Sequence, residues 1–350
     1  MGMVSHASNI EKAISPQCSV CIANYNGERL LEQCLDSILK QENFPGTIEI
    51  IVHDDASTDG SVAFIKARYP QVRLIVSEQN CGFCISNNRM VAAAQGEFIL
   101  LLNNDAILYV DALKTLYDAS VECGQGIYGL PQYHATSEEL IDMGSIFDPF
   151  LNPIPNKNIL RSEVGMIIGA CLWLPRNLWN TLGGFPEWFD SLAEDMYLCC
   201  YARLRGFPVK VVPASGFNHW VGASLGGGKI LNNKKLSTKL TRRALSERNK
   251  TFVMLICYPP VIACVLIPLH LLLLTCEGLL LSAIKRDKRI WIKIYWFCLK
   301  EIWIKRKRWV EKRRLVQHTR VCAISAFYST FTFLPHKIRM LFIHGLPDVR

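Results

Sequence analysis

Three polar clusters stand at the ends of, or just beyond, apolar segments. They are Asp54-Asp55 after residues 48–52, Asn103-Asn104-Asp105 after residues 98–102, and Glu194-Asp195 further on. An ionised carboxylate only accepts hydrogen bonds, so it suits a ring N–H, a hard cation or the proton of an attacking hydroxyl. An α/β sheet binds its ligands outside the carboxyl ends of its strands, and carboxylates placed there share one cleft. His219 follows a later strand-like stretch. Residues 222–229, with Ser224, Gly226-Gly227-Gly228 and Lys229, suit a loop that folds over phosphates. It is no P-loop, because the Gly-x-x-x-x-Gly-Lys spacing is absent.

The elements that must position these groups alternate strand and helix patterns. A strand is expected at 18–23, an amphipathic helix at 28–40 through Leu31, Leu35, Ile38 and Leu39, and a second strand at 48–53. Ser57-Thr58-Asp59 supplies capping chemistry for a helix through Val62 and Ile65, before a third strand at 72–76. A helix near 86–94 and a strand at 98–102 follow. This order implies parallel strands with right-handed crossovers and helices on both faces. Periodicity fails over 132–163, where Pro, Asn and Asp accumulate, and a long functional loop is expected. Beyond it come a buried strand at 164–174, a short helix at 176–182 stopped by Gly183-Gly184, a helix at 194–205 ending at Gly206, and a strand at 207–212.

With 350 residues, 50% of them hydrophobic, the chain can bury a full core. Residues 1–16 are polar and have no apolar stretch of a cleavable secretion signal, so the catalytic part is expected in the cytosol. The 14 cysteines fall in apolar strand-like and helix-like runs, as reduced core residues do. Cys18/Cys21 and Cys81/Cys84 have the Cys-x-x-Cys spacing of a zinc site. A strand through Cys18 and Cys21 points them to opposite faces, which favours the plain core role.

The net charge of +9 is concentrated: 285–320 holds 14 Lys or Arg and three acids. Before it, 252–284 is almost continuously apolar, with Pro259, Pro260 and Pro268 inside and Glu277 as its only ionised group. One membrane crossing fits this length and two do not. A single crossing would put the basic stretch on the side opposite a cytosolic domain, against the positive-inside tendency. A re-entrant or interfacial hairpin bent near the prolines is therefore expected. The basic stretch folds as a helix with Trp291, Tyr295, Leu299, Ile302 and Trp309 on one side and Arg289, Lys293, Lys300 and Lys307 on the other. That pattern suits an anionic membrane surface, aromatic side down, rather than nucleic acid.

Ala23-Asn24-Tyr25-Asn26, the run from His53 through Asp54, Asp55 and Asp59 to Gly60, Asn80-Cys81-Gly82-Phe83 with Asn87-Asn88-Arg89, and Leu101-Leu102-Asn103-Asn104-Asp105 form a pattern. Gly169-Ala170-Cys171, Leu182-Gly183-Gly184-Phe185 and Glu194-Asp195 followed by Arg203 and Gly206 extend it. Together they resemble the nucleotide-diphospho-sugar domain of family 2 glycosyltransferases, over about residues 16–228, and are most similar to its rhamnosyltransferase-like subgroup in bacterial surface polysaccharide synthesis. The resemblance implies an α/β GT-A fold with a mostly parallel, Rossmann-like sheet, followed here by membrane-associated C-terminal helices. The expected organisation is a GT-A domain at 16–228, a linker at 229–251, an apolar re-entrant or transmembrane segment at 252–284 and a basic amphipathic tail at 285–350.

The resemblance also implies roles. Asp55, supported by Asp54, would accept from the pyrimidine ring, while Asn24, Asn88, Asn104 and Ser224 would bind the nucleotide-sugar. Asp105, at the place of the family's Asp-x-Asp motif, would ligate Mg²⁺ or Mn²⁺ with His219. Asn103 departs from that motif and removes one negative charge. Asp195 would be the catalytic base of an inverting transfer, with Glu194 beside it. The plainer roles are an Asx-turn or helix cap for Asp54, Asp55 and Asp105, and helix N-terminal acids for Glu194 and Asp195. The implied partners are a dTDP- or UDP-sugar donor such as dTDP-rhamnose and a lipid-linked glycan acceptor, at the cytoplasmic face of the membrane. The alternative is a catalytically weak nucleotide-sugar-binding membrane scaffold. A dinucleotide oxidoreductase is disfavoured, since Asn26-Gly27-Glu28 stands where Gly-x-Gly-x-x-Gly would open the first helix.

Overall fold

The computed structural model describes residues 15–220, 229–230, 236–346 and 348–349. Its organising strand is β1 (Cys18–Asn24), which is buried on both faces and pairs in parallel with β2 (Ile48–Asp54) and β4 (Phe98–Asn103). Such a strand reads as a continuous apolar run, and its alternate side chains enter different cores. Cys21 joins one apolar cluster and Cys18 the other, each fully buried, so the two thiols cannot share a metal.

The crossovers are α1 (Glu28–Leu39), α2 (Ser61–Arg68) and α3 (Phe83–Ala93), with β3 (Arg73–Val76) at the sheet's edge. After β4 come β5 (Ala106–Leu108), α4 (Ala112–Cys123) and β6 (Ile127–Gly129). The 132–163 stretch is not a single loop. It holds β7 (Gln132–His134), β8 (Leu140–Asp142), β9 (Ser145–Phe147) and β10 (Pro153–Pro155), each three residues long and too short to register as a period.

The strand expected over 164–174 is confined to β11 (Cys171–Pro175), which runs antiparallel between β4 and β6. Next come α5 (Arg176–Leu182), α6 (Glu194–Leu204), β12 (Val209–Val211) and β13 (Phe217–His219). The main sheet has the order β12-β6-β11-β4-β1-β2-β3, and a smaller one the order β5-β13-β7-β8. Helix α5 stops because Gly183 and Gly184 both take positive φ, at 74° and 64°.

The C-terminal part departs most from expectation. Helix α7 (Leu240–Cys257) starts inside the expected linker, and residues 247–257 are buried. Its charges are matched internally: Glu247 pairs with Lys250 at 2.7 Å and Lys337 at 2.6 Å, and Lys250 donates to Asn152 at 2.8 Å. The 252–257 part of the apolar run is thus protein core, not membrane segment. The chain turns at Pro259, and α8 (Pro260–Lys285) runs back along α7, with Thr251 bonded to His270 and Arg243 paired with Glu277. Lys337 also reaches Glu277. Among the described residues α8 is the one helix long and apolar enough to cross a membrane.

Beyond it α9 (Lys288–Ile290), a π-helical segment (Trp291–Trp296) and α10 (Phe297–Ile304) follow without a break, then α11 (Arg306–His318), α12 (Ile324–Tyr328) and α13 (His336–His344). The aromatic side expected to face lipid packs inward instead. Tyr295 is fully buried against Gly278 of α8, and Trp291, Leu299, Ile302 and Trp309 are half-buried. The exposed apolar side chains there are Ile292, Trp296, Trp303 and Ile304, beside exposed Lys293 and Lys300. A single helix read alone does not reveal which stripe its neighbours will cover.

Trp173 of β11 ties the antiparallel strand into this frame. It stacks on Phe98 at 5.1 Å, and its Nε1 donates to Ser120 Oγ at 2.6 Å. Trp173→Ala should lower the unfolding free energy by about 3–5 kcal/mol, measured by urea denaturation, because the void and the lost indole-to-hydroxyl hydrogen bond act together.

Candidate active site

The parallel register sets Asn24 beside Asp54 and Ala23 beside Asn103, which brings the polar ends of β1, β2 and β4 to one edge. There Asn24 Nδ2 donates to Asp54 Oδ2 at 2.9 Å and Asn104 Nδ2 donates to Asn24 Oδ1 at 2.8 Å. Asp54 Oδ1 accepts the Ser57 N–H at 2.9 Å. These buried amides and this carboxylate satisfy one another, so they shape the loops more than they wait for a ligand. Gly27 completes the edge, since a Cβ there would lie 2.2 Å from Asn104 Nδ2 and 2.3 Å from Asn24 Oδ1.

Asp55 is held by the turn before α3. Its Oδ1 accepts from Cys81 N at 2.7 Å and Cys81 Sγ at 2.9 Å, and its Oδ2 accepts from Gly82 N at 2.9 Å. Each carboxylate oxygen has two lone pairs, so Oδ2 keeps capacity for one further donor. His53, Asp55 and Cys81 bring three ligand-type atoms within 4.8 Å. Arg89 Nη1 stands 3.5 Å from His53 Nε2, and burial together with the Asp55 contact pushes the Cys81 thiol up. A guanidinium and a protonated thiol make this a hydrogen-bonded pocket wall better than a cation site.

β13 pairs with β5 so that His219 lies opposite Ala106, next to Asp105. His219 Nε2 is 3.0 Å from Asp105 Oδ1, and Gln132 Nε2 is 2.9 Å from His219 Nδ1. Gln132 thereby orients the imidazole: its amide donates to Nδ1, which leaves the ring proton on Nε2, facing Asp105. The buried Asp105 carboxylate fits Mg²⁺ or Mn²⁺, whose other ligands would be phosphate and water oxygens; His219 would add a ring nitrogen in its other tautomer, with the Gln132 amide reversed to accept from Nδ1. Asn104 does not join them, because its amide is turned to Asn24.

Glu194 and Asp195 open α6. Asp195 Oδ2 accepts the Gly169 N–H at 2.9 Å, and its Oδ1 accepts the Met196 N–H at 2.7 Å. Asn103 N donates to Ala170 O at 3.0 Å, so β11 carries Gly169, and with it Asp195, to the end of β4. Burial pushes the Asp195 carboxyl up, against the two amides that stabilise its anion. Burial first and the Asp195 charge second push Glu194 up to about 8, while Arg242 opposes them. Glu194 Oε2 has no hydrogen-bond partner. Both carboxyls are thus pushed toward their neutral forms by burial, and the two titrate as a pair. Just before it Asp190, Leu192 and Ala193 have φ of 64°, 74° and 63°. Such non-glycine conformations each cost of order 1–3 kcal/mol and persist only where the surroundings impose them.

Asn88 departs from the nucleotide-binding role expected of it. Its Nδ2 donates to Phe185 O at 2.9 Å and its Oδ1 accepts the Phe185 N–H at 3.0 Å, which fastens α3 to the Gly183-Gly184 turn. A side-chain amide that matches a backbone unit so fully is occupied by the fold. Ser224 lies outside the described residues. Three contributors were not singled out from sequence: Gln132, hidden in an aperiodic stretch, and the backbone N–H groups of Gly82 and Gly169. A backbone donor has no residue-type signature, although the glycines themselves mark where the chain passes close to a carboxylate.

Residues 19–183 match the family model described as Glycosyl transferase family 2. Among relatives, the chain is 31% identical over 113 residues to the Succinoglycan biosynthesis protein ExoO of Rhizobium meliloti, covering 32% of each. It is 28% identical over 188 residues to the Chondroitin synthase of Escherichia coli, covering 52% of this chain and 26% of that one. These matches span about a third and a quarter of the relatives' lengths. Among solved structures, Staphylococcus aureus TarS 1-349 in complex with UDP aligns at a TM-score of 0.51 and 16% identity, covering 87% of this chain and 90% of that one. GalNAc-T7 with UDP, GalNAc and Mn²⁺ aligns at 0.55 and 15% identity, covering 70% and 48%. The fold is that of the GT-A glycosyltransferases, as these matches show.

Glu194 binds a proton more tightly when folded, so its contribution to stability is complete below the ordinary carboxylate range and is lost as pH rises through about 8. Glu194→Gln, which cannot ionise, should gain in Tm relative to the natural chain between pH 5 and pH 9. A Tm difference that does not change over this range would refute the buried-proton assignment.

Proposed function

We propose that this chain, whose residues 19–183 form a Glycosyl transferase family 2 domain, is an inverting glycosyltransferase of polysaccharide synthesis. It would move a sugar, rhamnose or similar, from a dTDP- or UDP-sugar to a hydroxyl of a lipid-linked glycan. The observation that carries this reading is the gathering of Asp55, the Asp105–His219 pair and Asp195 at one sheet edge by β1, β2, β4 and β11. A bare scaffold would have no use for two adjacent buried carboxyls at that edge.

In this reading Asp55 Oδ2 takes the ring N–H of a pyrimidine while Cys81 and Gly82 keep it in place. Asp105, with His219 beside it, would hold a divalent cation, which when bound would neutralise the diphosphate. The acceptor oxygen attacks the anomeric carbon as the bond from that carbon to the diphosphate oxygen breaks, and Asp195 receives the hydroxyl proton. A single displacement inverts the anomeric centre. Glu194, beside Asp195 at the start of α6, shares the buried end of the acceptor side.

The C-terminal helices supply the setting. The charged and polar side of α8 (His270, Glu277) is turned to α7, and its outer side, including Val261, Val265, Leu272 and Leu280, is exposed. That arrangement favours a helix lying in the membrane interface against the domain over one that leaves it to span the bilayer. Trp296 and Trp303 with Lys293 and Lys300 suit an anionic headgroup layer.

A donor screen by thermal protection with and without Mn²⁺, followed by turnover, tests the activity. One nucleotide-sugar should protect and be turned over, and Asp195→Asn should lower kcat by about 10³-fold or more with protection kept. Equal turnover by Asp195→Asn would end the reading. Trp296→Glu with Trp303→Glu should weaken sedimentation with phosphatidylglycerol vesicles at least tenfold, whereas binding as strong as that of the natural chain would remove the membrane assignment.

A further inference from the structure

The segment that delivers Asp195 is held from outside the catalytic sheet. Asn249 of α7, fully buried, directs Nδ2 at three carbonyl oxygens of that segment: Phe189 O, Ser191 O and Leu192 O, each at 2.8 Å. Arg248 beside it donates from Nη2 to Phe189 O at 2.7 Å and Asp190 Oδ2 at 2.9 Å. Arg248 Nε also donates to Asn249 Oδ1 at 2.9 Å, which fixes the amide with its hydrogens toward the loop. Behind them Glu301 of α10 stands 3.7 Å from Arg248 Nη1.

The three left-handed residues Asp190, Leu192 and Ala193 lie in this clamped stretch and end one residue before Glu194. No glycine or proline there imposes the conformation, so the clamp is what selects it. The same loop touches the donor side, since Asp190 O accepts the Cys84 N–H at 3.0 Å and lies 3.3 Å from where a Gly82 Cβ would be. It therefore joins the turn that holds Asp55 to the helix that starts with Asp195.

We propose that Arg248 and Asn249 are positioning residues for the catalytic base: by clamping residues 189–193 they aim Asp195 at the acceptor hydroxyl and keep it on the Gly169 amide. This rests on the reading of Asp195 as the base. The C-terminal helical layer is then part of the catalytic apparatus as well as the membrane-facing part of the molecule. Loss of the clamp lets Asp195 leave the Gly169 N–H, which stabilises its anion, so its proton is held more tightly and the acid limb of the rate profile moves to higher pH.

The test uses the full chain with Mn²⁺ and follows nucleoside diphosphate release from dTDP-rhamnose, UDP-glucose and UDP-N-acetylglucosamine, the fastest being taken forward. Asn249→Ala should lower kcat at least tenfold, leave donor KM within about twofold, and move the acid limb of kcat upward in pH. Arg248→Lys keeps the charge facing Asp190 and Glu301 without the guanidinium fork, and should show the same signs more weakly. It decides the matter if Asn249→Ala does not fold. Asp195→Asn is measured alongside. If it is inactive while the folded clamp variants keep the natural kcat and acid limb, the positioning role is overturned and the base assignment stands. If Asp195→Asn is active, or none of the donors is turned over by the natural chain, the base reading falls and the proposal falls with it.

Discussion

The carboxyl edge of the main sheet depends on a buried line of hydrogen bonds, Asp54 to Asn24 to Asn104, drawn across β2, β1 and the end of β4. Each strand would otherwise end in polar groups cut off from water, and unsatisfied buried groups of this kind are strongly destabilising. Their mutual pairing removes that penalty and sets where each following loop begins. Asp55 and Asp105, one residue beyond Asp54 and Asn104, take their places from it. Asn24, Asp54 and Asn104, which look most like ligand contacts in the motif, thus spend hydrogen-bonding capacity on the fold itself.

A second layer of order comes from the antiparallel strand β11. A purely parallel sheet would have no reason to bring Gly169 back to the end of β4, yet the pairing of Ala170 with Asn103 does so and gives Asp195 its amide partner. Because the site is buried, a carboxylate there is pushed toward its neutral form, and two adjacent carboxylates cannot share the burden equally. Two backbone amides satisfy the Asp195 oxygens, while Glu194 keeps one oxygen without a partner.

The strands and helices through residue 103 were legible because each is a period of one kind bounded by turn residues. The central strands β1 and β4 read correctly as continuous apolar runs. The strand-end places of Asp54, Asp55 and Asp105 were legible in the same way. What escaped reading had no periodic or compositional trace: the three-residue strands between 132 and 155, the amide of Gln132 on His219, and the backbone donors that hold Asp55 and Asp195. The expected linker was misjudged because Glu247, Arg248 and Lys250 look solvated until their partners, brought from distant segments, are known.

By itself the amino-acid order determined the alternation of strands and helices, the carboxylates at the strand ends and the presence of one long apolar stretch followed by a basic one. Those features follow from local periodicity and charge, which any short window contains. Tertiary structure alone decided which of these groups spend their hydrogen-bonding capacity on the fold, as Asn88 does on Phe185 and Asn104 on Asn24, and which retain it. It also decided which stripe of each C-terminal helix is covered. Burial and partner choice are properties of pairs of segments far apart along the chain, so no single segment can carry them.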